Sequence, residues 1–194
     1  SAKKSRIGDL YLPGEPSYRD KHLAEGLLGE HKVVGYNQMA MMVAKGNPKA
    51  VKADPREMLR KDLNVIVGNS ESGSVGQESK HILDQLGVYP KVVHAAVFLA
   101  PDSRSLMNAM KKGEADLTMN WRATAFFPDN RAVVDVLDLD PKIAKPQALL
   151  LMQLNFSKHK DLSKRFISFT AGEEGQAVFR KFGFLDNKTS VSSK

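Results

Sequence analysis

The chain has 194 residues, 42% hydrophobic and 26% charged, an ordinary globular composition that can bury one core or two small ones. Its net charge of +7 favours encounter with anions, whether small oxyanions, nucleic acid or a membrane surface. The absence of cysteine excludes disulfides and thiolate metal sites. No apolar run approaches the roughly 20 residues of a membrane-spanning helix, so we do not expect the chain to span a membrane.

Short apolar runs alternate with helical patterns from one end of the chain to the other. The patterns predict strands at residues 7–12, 39–44, 63–68, 92–98 and 115–120, and helices at 17–25, 54–60, 79–86 and 104–110. The helix at 54–60 begins with an Asp54 cap and Pro55 at its first position. Such alternation is typical of an α/β fold with a mostly parallel sheet, in which ligands gather at the carboxyl ends of the strands.

The most informative segment is Gly68–Gly76, which joins a predicted strand to a helix through glycine and serine residues. Such a turn leaves backbone N–H groups and the positive end of a helix facing open space, where an anion can bind. A plain flexible connection is the alternative, because glycine–serine turns are common in α/β proteins. In either case we expect Ser74 to cap the helix.

Several stretches of the chain also match the pattern of a known family. They are Gly8-Asp-Leu-Tyr-Leu-Pro, the strand and Ser/Gly turn around Gly68, Lys112-Gly-Glu-Ala-Asp-Leu, and the helical segment at 166–184. Together they resemble the periplasmic molybdate-binding proteins of ABC importers, over nearly the whole chain. The resemblance implies a two-lobed type II periplasmic-binding-protein fold, with three-layer α/β/α lobes, mostly parallel sheets and a ligand held between the lobes. It places lobe 1 at 1–42 and 128–194, and lobe 2 at 43–127.

The resemblance also implies which residues bind the ligand. Val75, beside Ser74 in the tight turn, falls where the family offers a backbone N–H to the oxyanion, and Ser103 falls at a second N–H donor. Trp121 stands where molybdate binders usually carry a tyrosine. Uncharged, directed donors of this kind suit a fully ionised oxyanion. The family begins with a strand and two serine-bearing turns that precede this pattern. We therefore expect the first strand or strands of lobe 1, with the facing part of the anion cage, to be absent from the chain.

Two of these residues, and Arg122 next to them, have more than one interpretation. Ser103 could be a helix cap and nothing more, and Trp121 could pack in the core beside Met119 instead of lining the site. Arg122 could hold a carboxylate or phosphate by two parallel hydrogen bonds, which would favour an organic acid as ligand. Alternatively, Arg122 could form a structural ion pair with Asp102 or Asp129.

We therefore expect the solute-binding component of an ABC importer, which captures a small oxyanion, molybdate or tungstate above all, and delivers it to a permease. An organic acid, phosphate or sulfate is the alternative ligand, and a ligand-sensing domain of a transcription regulator is the alternative function. We expect a periplasmic or extracellular location, with or without a lipid anchor.

Catalytic and metal-binding patterns are weak in this sequence. The five histidines share no paired metal-ligand spacing, and no nucleophile motif is present. Basic residues in the C-terminal helices lie among acidic ones, without the aromatic residues typical of a nucleic-acid surface. We therefore expect a monomer that is not an enzyme, has no cofactor or metal and binds no nucleic acid.

Overall fold

The computed structural model describes residues 2–14 and 16–186, and the chain divides into two compact units. Unit 1 consists of Ser1–Asn37 and Pro146–Lys194, and unit 2 of Gln38–Lys145. The chain thus passes from one unit to the other after residues 37 and 145. The lobe boundaries expected from the sequence follow residues 42 and 127 instead.

Unit 1 is a three-stranded sheet with helices. Its strands are β1 (Leu10–Tyr11), β2 (Leu28–Asn37) and β8 (Gln147–Leu154), and its helices are α1 (Ala2–Ser5), α2 (Ser17–Leu23), α7 (Lys160–Ala171) and α8 (Glu173–Lys181). The strand order is β1-β8-β2, with antiparallel pairing throughout. The apolar run of β8 lies at the centre, and its Leu149 and Leu151 form a core with Val34 of β2 and Ile167 of α7.

Unit 2 contains the other five strands. They are β3 (Met39–Ala44), β4 (Ile66–Gly68), β5 (Phe98–Ala100), β6 (Leu117–Trp121) and β7 (Val134–Asp138). The helices are α3 (Ser74–Gln85), α4 (Tyr89–Ala95), α5 (Ser103–Lys111) and α6 (Pro128–Arg131), with 3₁₀ segments at Pro55–Leu59 and Arg122–Phe126. Strand β3 pairs with β6 on one side and β7 on the other, which explains why five of its six residues are buried.

The direction of the strands differs from the expectation of mostly parallel sheets. The β4–β5 ladder is parallel, and a parallel bridge between Val65 and Leu117 joins β4 to β6. The other ladders of the described residues are antiparallel. Parallel neighbours need a long crossover connection, and helices α3, α4 and α5 supply such connections between β4, β5 and β6. The α/β class is confirmed, whereas the predominance of parallel pairing is not.

One predicted strand is a helix. Residues 92–98 read as a continuous apolar run, but α4 occupies most of it and β5 begins only at Phe98. Pro90 lies in the first turn of α4, where proline favours a helix, and Val92 is fully buried on one face of the helix. A short apolar run can form either a strand or a helix. This run forms a helix that is buried on one face.

Candidate functional site

The starts of α3 and α5 lie at one edge of the unit 2 sheet. Because β4, β5 and β6 run parallel to one another, their carboxyl ends meet at the same edge. The N–H of Asn69, just after β4, donates to the carbonyl of Ala100 at 2.7 Å. The side-chain amide of Asn120, at the end of β6, donates to the carbonyl of Ser103 at 3.0 Å. The structure therefore brings together the chain segments that carry Ser74, Val75, Ser103 and Trp121.

The start of α3 is shaped by glycine packing. A Cβ on Gly76 would lie 2.1 Å from the carbonyl oxygen of Asn69, and a Cβ on Gly68 would lie 2.9 Å from Gly76. Only residues without side chains permit this approach of the helix to the turn, so positions 68 and 76 require glycine. The first turn of the helix is thereby held directly against the loop at 69–73.

The backbone donors of this first turn are left open. The carbonyl of Gly73 accepts from Gly76 and Gln77, both at 3.1 Å, whereas the N–H groups of Ser74 and Val75 have no acceptor in the described part of the chain. The expectation that Ser74 caps the helix is wrong. Gly73 is the N-cap, in an extended conformation, and no side chain bonds to the helix start. Two N–H groups at the positive end of a 12-residue helix are therefore available to an anion.

The loop before α3 is ordered by its own hydrogen bonds. The side-chain oxygen of Asn69 accepts from the N–H of Glu71 at 2.9 Å, and the backbone carbonyl of Asn69 accepts from the N–H of Ser72 at 3.2 Å. The hydroxyl of Tyr89 donates to Ser70 at 3.2 Å. These bonds fix the loop without using the N–H groups of Ser74 and Val75.

The start of α5 is different, because a carboxylate already occupies it. Asp102 is the N-cap, and its side chain accepts from the N–H of Ser105 at 2.8 Å. That backbone hydrogen bond lowers the pKa of the Asp102 carboxyl. Ser103 is the first helical residue, so the alternative in which it caps the helix is wrong. Its N–H has no acceptor among residues 2–14 and 16–186, but it lies next to a negative charge.

Trp121 lies mostly in the core of unit 2. It is 9% exposed and pairs with Met39 across the sheet. Its backbone N–H donates to the side chain of Asn120 at 2.8 Å. The burial supports the core interpretation of this side chain, and its contact with a ligand stays a prediction.

Arg122 is held by an aspartate other than the two expected. Its Nε donates to Asp138 at 2.7 Å and its NH2 group donates to the second carboxylate oxygen at 3.3 Å. The guanidinium also lies over the ring of Phe126, 4.7 Å from the ring centre. The alternative of a structural ion pair is therefore confirmed, but its predicted partners, Asp102 and Asp129, are wrong, because β7 carries Asp138 beside the 3₁₀ segment that begins at Arg122.

Asn120 is the site residue that the sequence interpretation missed. It is fully buried, and its side chain joins the backbone of Trp121 to that of Ser103. Such a residue orients the start of α5 against the end of β6. The available signal was an amide side chain near the end of a largely apolar strand.

The described residues contain neither a metal-ligating cluster nor a membrane-spanning helix. Within them, no group of three or more histidine, aspartate or glutamate side chains could hold a metal ion. No helix in the same part of the chain has the length and apolarity needed to cross a membrane.

Comparison with solved structures shows the fold. The substrate-binding domain of a putative molybdenum ABC transporter from Clostridium difficile is 21% identical, with a TM-score of 0.77 over 95% of this chain and 79% of that one. The periplasmic molybdate-binding protein of Azotobacter vinelandii is 12% identical, with a TM-score of 0.75 over 95% of this chain and 81% of that one. The sulfate-binding protein SubI of Mycobacterium tuberculosis H37Rv is 17% identical, with a TM-score of 0.75 over 100% of this chain and 76% of that one. This chain therefore has the fold of type II periplasmic binding proteins.

Sequence comparison shows the family. A comparison with curated proteins found no match. A family model described as bacterial extracellular solute-binding protein matches residues 1–185, which is nearly the whole chain. Together with the fold, this match shows that the chain belongs to the bacterial extracellular solute-binding proteins.

Proposed function

We propose that this protein is the solute-binding component of an ABC importer and that it captures a small oxyanion, molybdate or tungstate above all, at the helix starts of unit 2. The observation that carries the proposal is the pair of open N–H groups on Ser74 and Val75. Ser103 supplies a further N–H, and the indole N–H of Trp121 is the fourth donor. The protein works outside the cytoplasm and presents its ligand to a membrane permease.

The chemistry of the α3 start favours a fully ionised oxyanion. Backbone N–H groups can only donate, so they suit an anion whose oxygens all accept hydrogen bonds. Phosphate near neutral pH still carries a proton, which the backbone N–H groups of this helix start cannot accept. An organic acid would be matched best by a guanidinium, but Arg122 already holds Asp138 through two hydrogen bonds. These features support molybdate, tungstate or sulfate over phosphate and carboxylates.

The three similar structures named above fit the same class of ligand, although another protein of this fold is described as a thiamin-binding protein. Two of the similar proteins are described as molybdenum or molybdate binders and one as a sulfate binder. Sulfate and molybdate share tetrahedral geometry and differ in size. The choice between them therefore depends on the distances between donors around the anion.

Isothermal titration calorimetry on the full chain tests the proposal. Molybdate, tungstate, sulfate, phosphate and lactate are each titrated at the same ionic strength, because salt screens the binding of anions. We expect the largest heat and the tightest binding with molybdate or tungstate, and binding about tenfold weaker or more with phosphate and lactate. Absence of heat and of any thermal shift with all the oxyanions would refute the oxyanion proposal. Tightest binding to lactate would assign a carboxylate ligand instead.

A further inference from the structure

A groove in unit 2 adjoins the start of α5. It lies between α5 and the segment formed by the 3₁₀ turn Arg122–Phe126 and α6, and its volume is about 450 Å³. Ser103, the first residue of α5, is one of the residues that line it. The start of α3 is next to this place, because a Cβ on Gly73 would lie 3.3 Å from the carbonyl oxygen of Pro101. The groove therefore adjoins the donors that we propose for the oxyanion.

Buried asparagines hold both walls of the groove. On one wall, the side chain of Asn120 holds the carbonyl of Ser103, as described above. On the other wall, Asn130 of α6 is 6% exposed, and its side-chain amide donates to the carbonyl of Thr124 at 2.6 Å. Because hydrogen bonds within the fold fix both walls, the groove is formed before any ligand binds, as most small-molecule sites are.

The groove is larger than a bare oxyanion requires. Its volume falls within the range of about 300–1,000 Å³ that is usual for small-molecule pockets. Met107, which is buried, and Phe127, which is 49% exposed, contribute apolar surface to the lining. An exposed aromatic ring in a concave surface offers contact area to an apolar group. The lining therefore suits the organic part of a ligand.

The charges of the groove favour a ligand that is negative overall. Arg104 and Lys111 line it, and neither forms an ion pair in the described part of the chain. Asp129 adds one carboxylate to the lining, so the cations are in excess. An anion that enters the groove is thus attracted and not repelled.

Asp102 affects how many charges the anion should carry. The N–H of Ser105 and the charge of Arg104 lower the pKa of the Asp102 carboxyl, which is therefore ionised near neutral pH. By Coulomb's law, its repulsion of a dianion is about twice its repulsion of a monoanion at the same distance. An oxyanion with a single charge and no proton is therefore matched best to the α5 start.

We propose that this site also binds organic sulfates and sulfonates, with the sulfonyl oxygens at the helix starts of unit 2 and the organic group in the groove. Such ions carry one negative charge near neutral pH, and their oxygens only accept hydrogen bonds, which matches the backbone donors. The inference rests on the proposed function, because the sulfonyl group uses the same N–H groups of Ser74 and Val75. It extends that function from inorganic oxyanions to substituted ones.

Titration calorimetry on the full chain compares probes that differ only in the organic group. Phenyl sulfate is paired with methyl sulfate, and benzenesulfonate with methanesulfonate, so that charge and head group are constant within each pair. We expect the aryl compound to bind about tenfold more tightly than its methyl counterpart, because the ring is removed from water in the groove. Phenyl sulfate should also compete with molybdate. The pair with the larger ratio shows whether the ester or the sulfonate is preferred.

Three variants locate the organic group and the head group. Phe127→Ser removes the exposed ring, and serine is favoured at this position because Phe127 is the N-cap of α6. It should bring the affinities for phenyl and methyl sulfate to within about twofold of each other. Phe98→Ser, 38% exposed and not part of the groove lining, is the matched control and should preserve the tenfold ratio. Ser74→Pro should weaken both probes about tenfold. A circular dichroism melt of each variant shows that it is folded.

The outcomes separate this inference from the proposed function. Absence of binding with molybdate and sulfate would refute the proposed function and the inference with it. Binding of molybdate or sulfate, with neither aryl compound tighter than its methyl counterpart, would refute the inference alone. Equal ratios in Phe127→Ser and Phe98→Ser would show that the organic group lies outside the groove. Phenyl sulfate binding that neither competes with molybdate nor weakens in Ser74→Pro would place the head group away from the helix starts, which also overturns the inference.

Discussion

The two helix starts of unit 2 lie at the same sheet edge and differ in what occupies them. At α3 the N-cap is Gly73, no side chain reaches the first turn, and two N–H groups are open. At α5 the N-cap is Asp102, whose carboxylate accepts from Ser105 and places a negative charge at the helix end. Both starts present the positive end of a helix dipole, and the cap residue decides whether a negative side-chain charge already lies there. An anion should therefore gain most of its binding energy at α3.

The largest expected effect is that of Gly76→Ala, which disturbs the packing of α3 against the loop at 69–73. Gly76→Ala puts a Cβ 2.1 Å from the carbonyl oxygen of Asn69, and backbone must move to relieve that contact. We expect a loss of about 2 kcal/mol or more in the free energy of unfolding and a fall of about 5 °C or more in Tm. Calorimetric melting measures the fall in Tm. Gly14→Ala is the control, because a Cβ there meets no atom within 4 Å. An unchanged Tm for Gly76→Ala would show that the glycine contact does not hold the helix.

The open donors of α3 can be tested by removing one N–H without disturbing the helix. Proline is favoured at the first helical position, and the extended conformation of Gly73 suits a residue before proline, so Ser74→Pro should fold normally. We expect oxyanion affinity to fall about tenfold or more, since a hydrogen bond to a charged group is lost. Ser74→Ala keeps the N–H and should change affinity little. The two variants are compared by titration calorimetry.

A proline at the first residue of α5 allows the two helix starts to be compared directly. Asp102 is also extended, so Ser103→Pro removes the corresponding N–H in an equivalent way. We expect its effect on oxyanion affinity to be about threefold or less, because the adjacent carboxylate already weakens this helix end as an anion site. A larger loss for Ser103→Pro than for Ser74→Pro would reverse the ranking of the two helix starts.

How far the sequence predicted these features depends on how local their causes are. The strand Met39–Ala44 was predicted with its bounds, because burial on both sides makes its residues uniformly apolar. The cap at Asp54 was also predicted, and its side chain accepts from Arg56 at 2.9 Å. The cap at Gly73 could not be predicted, because it depends on a backbone conformation set by the packing of the helix against the loop. The pairing of Arg122 with Asp138 likewise requires knowing that β7 lies beside β3.

The charge of Asp102 should oppose anion binding. Asp102→Asn keeps a side-chain oxygen that can cap α5 and removes the negative charge from the sheet edge. We expect oxyanion affinity to rise about threefold at low ionic strength, and the gain to shrink as salt is added. Glu114→Gln, beyond the opposite end of α5, makes the same change of net charge away from the helix starts and should have no such effect. If oxyanion affinity rises equally in both variants, the gain comes from the change in net charge and not from the position of Asp102.

The smallest expected effect is the pH dependence of the α5 cap. The N–H of Ser105 lowers the pKa of Asp102 in the folded protein, so the ionised carboxylate stabilises the fold at pH values above the usual aspartate pKa of 3.8. That contribution is lost as the pH falls below this value toward the lower pKa of the folded state. Asp102→Asn has no such titration, so the Tm of the wild type should fall more steeply below about pH 4 than that of the variant. The side chain is solvent-exposed, and screening keeps the difference small. Parallel Tm curves for the two proteins across this range would show that the cap is insensitive to charge. The start of α5 would then differ from that of α3 in the hydrogen bond from Ser105 to Asp102 and not in the charge of Asp102.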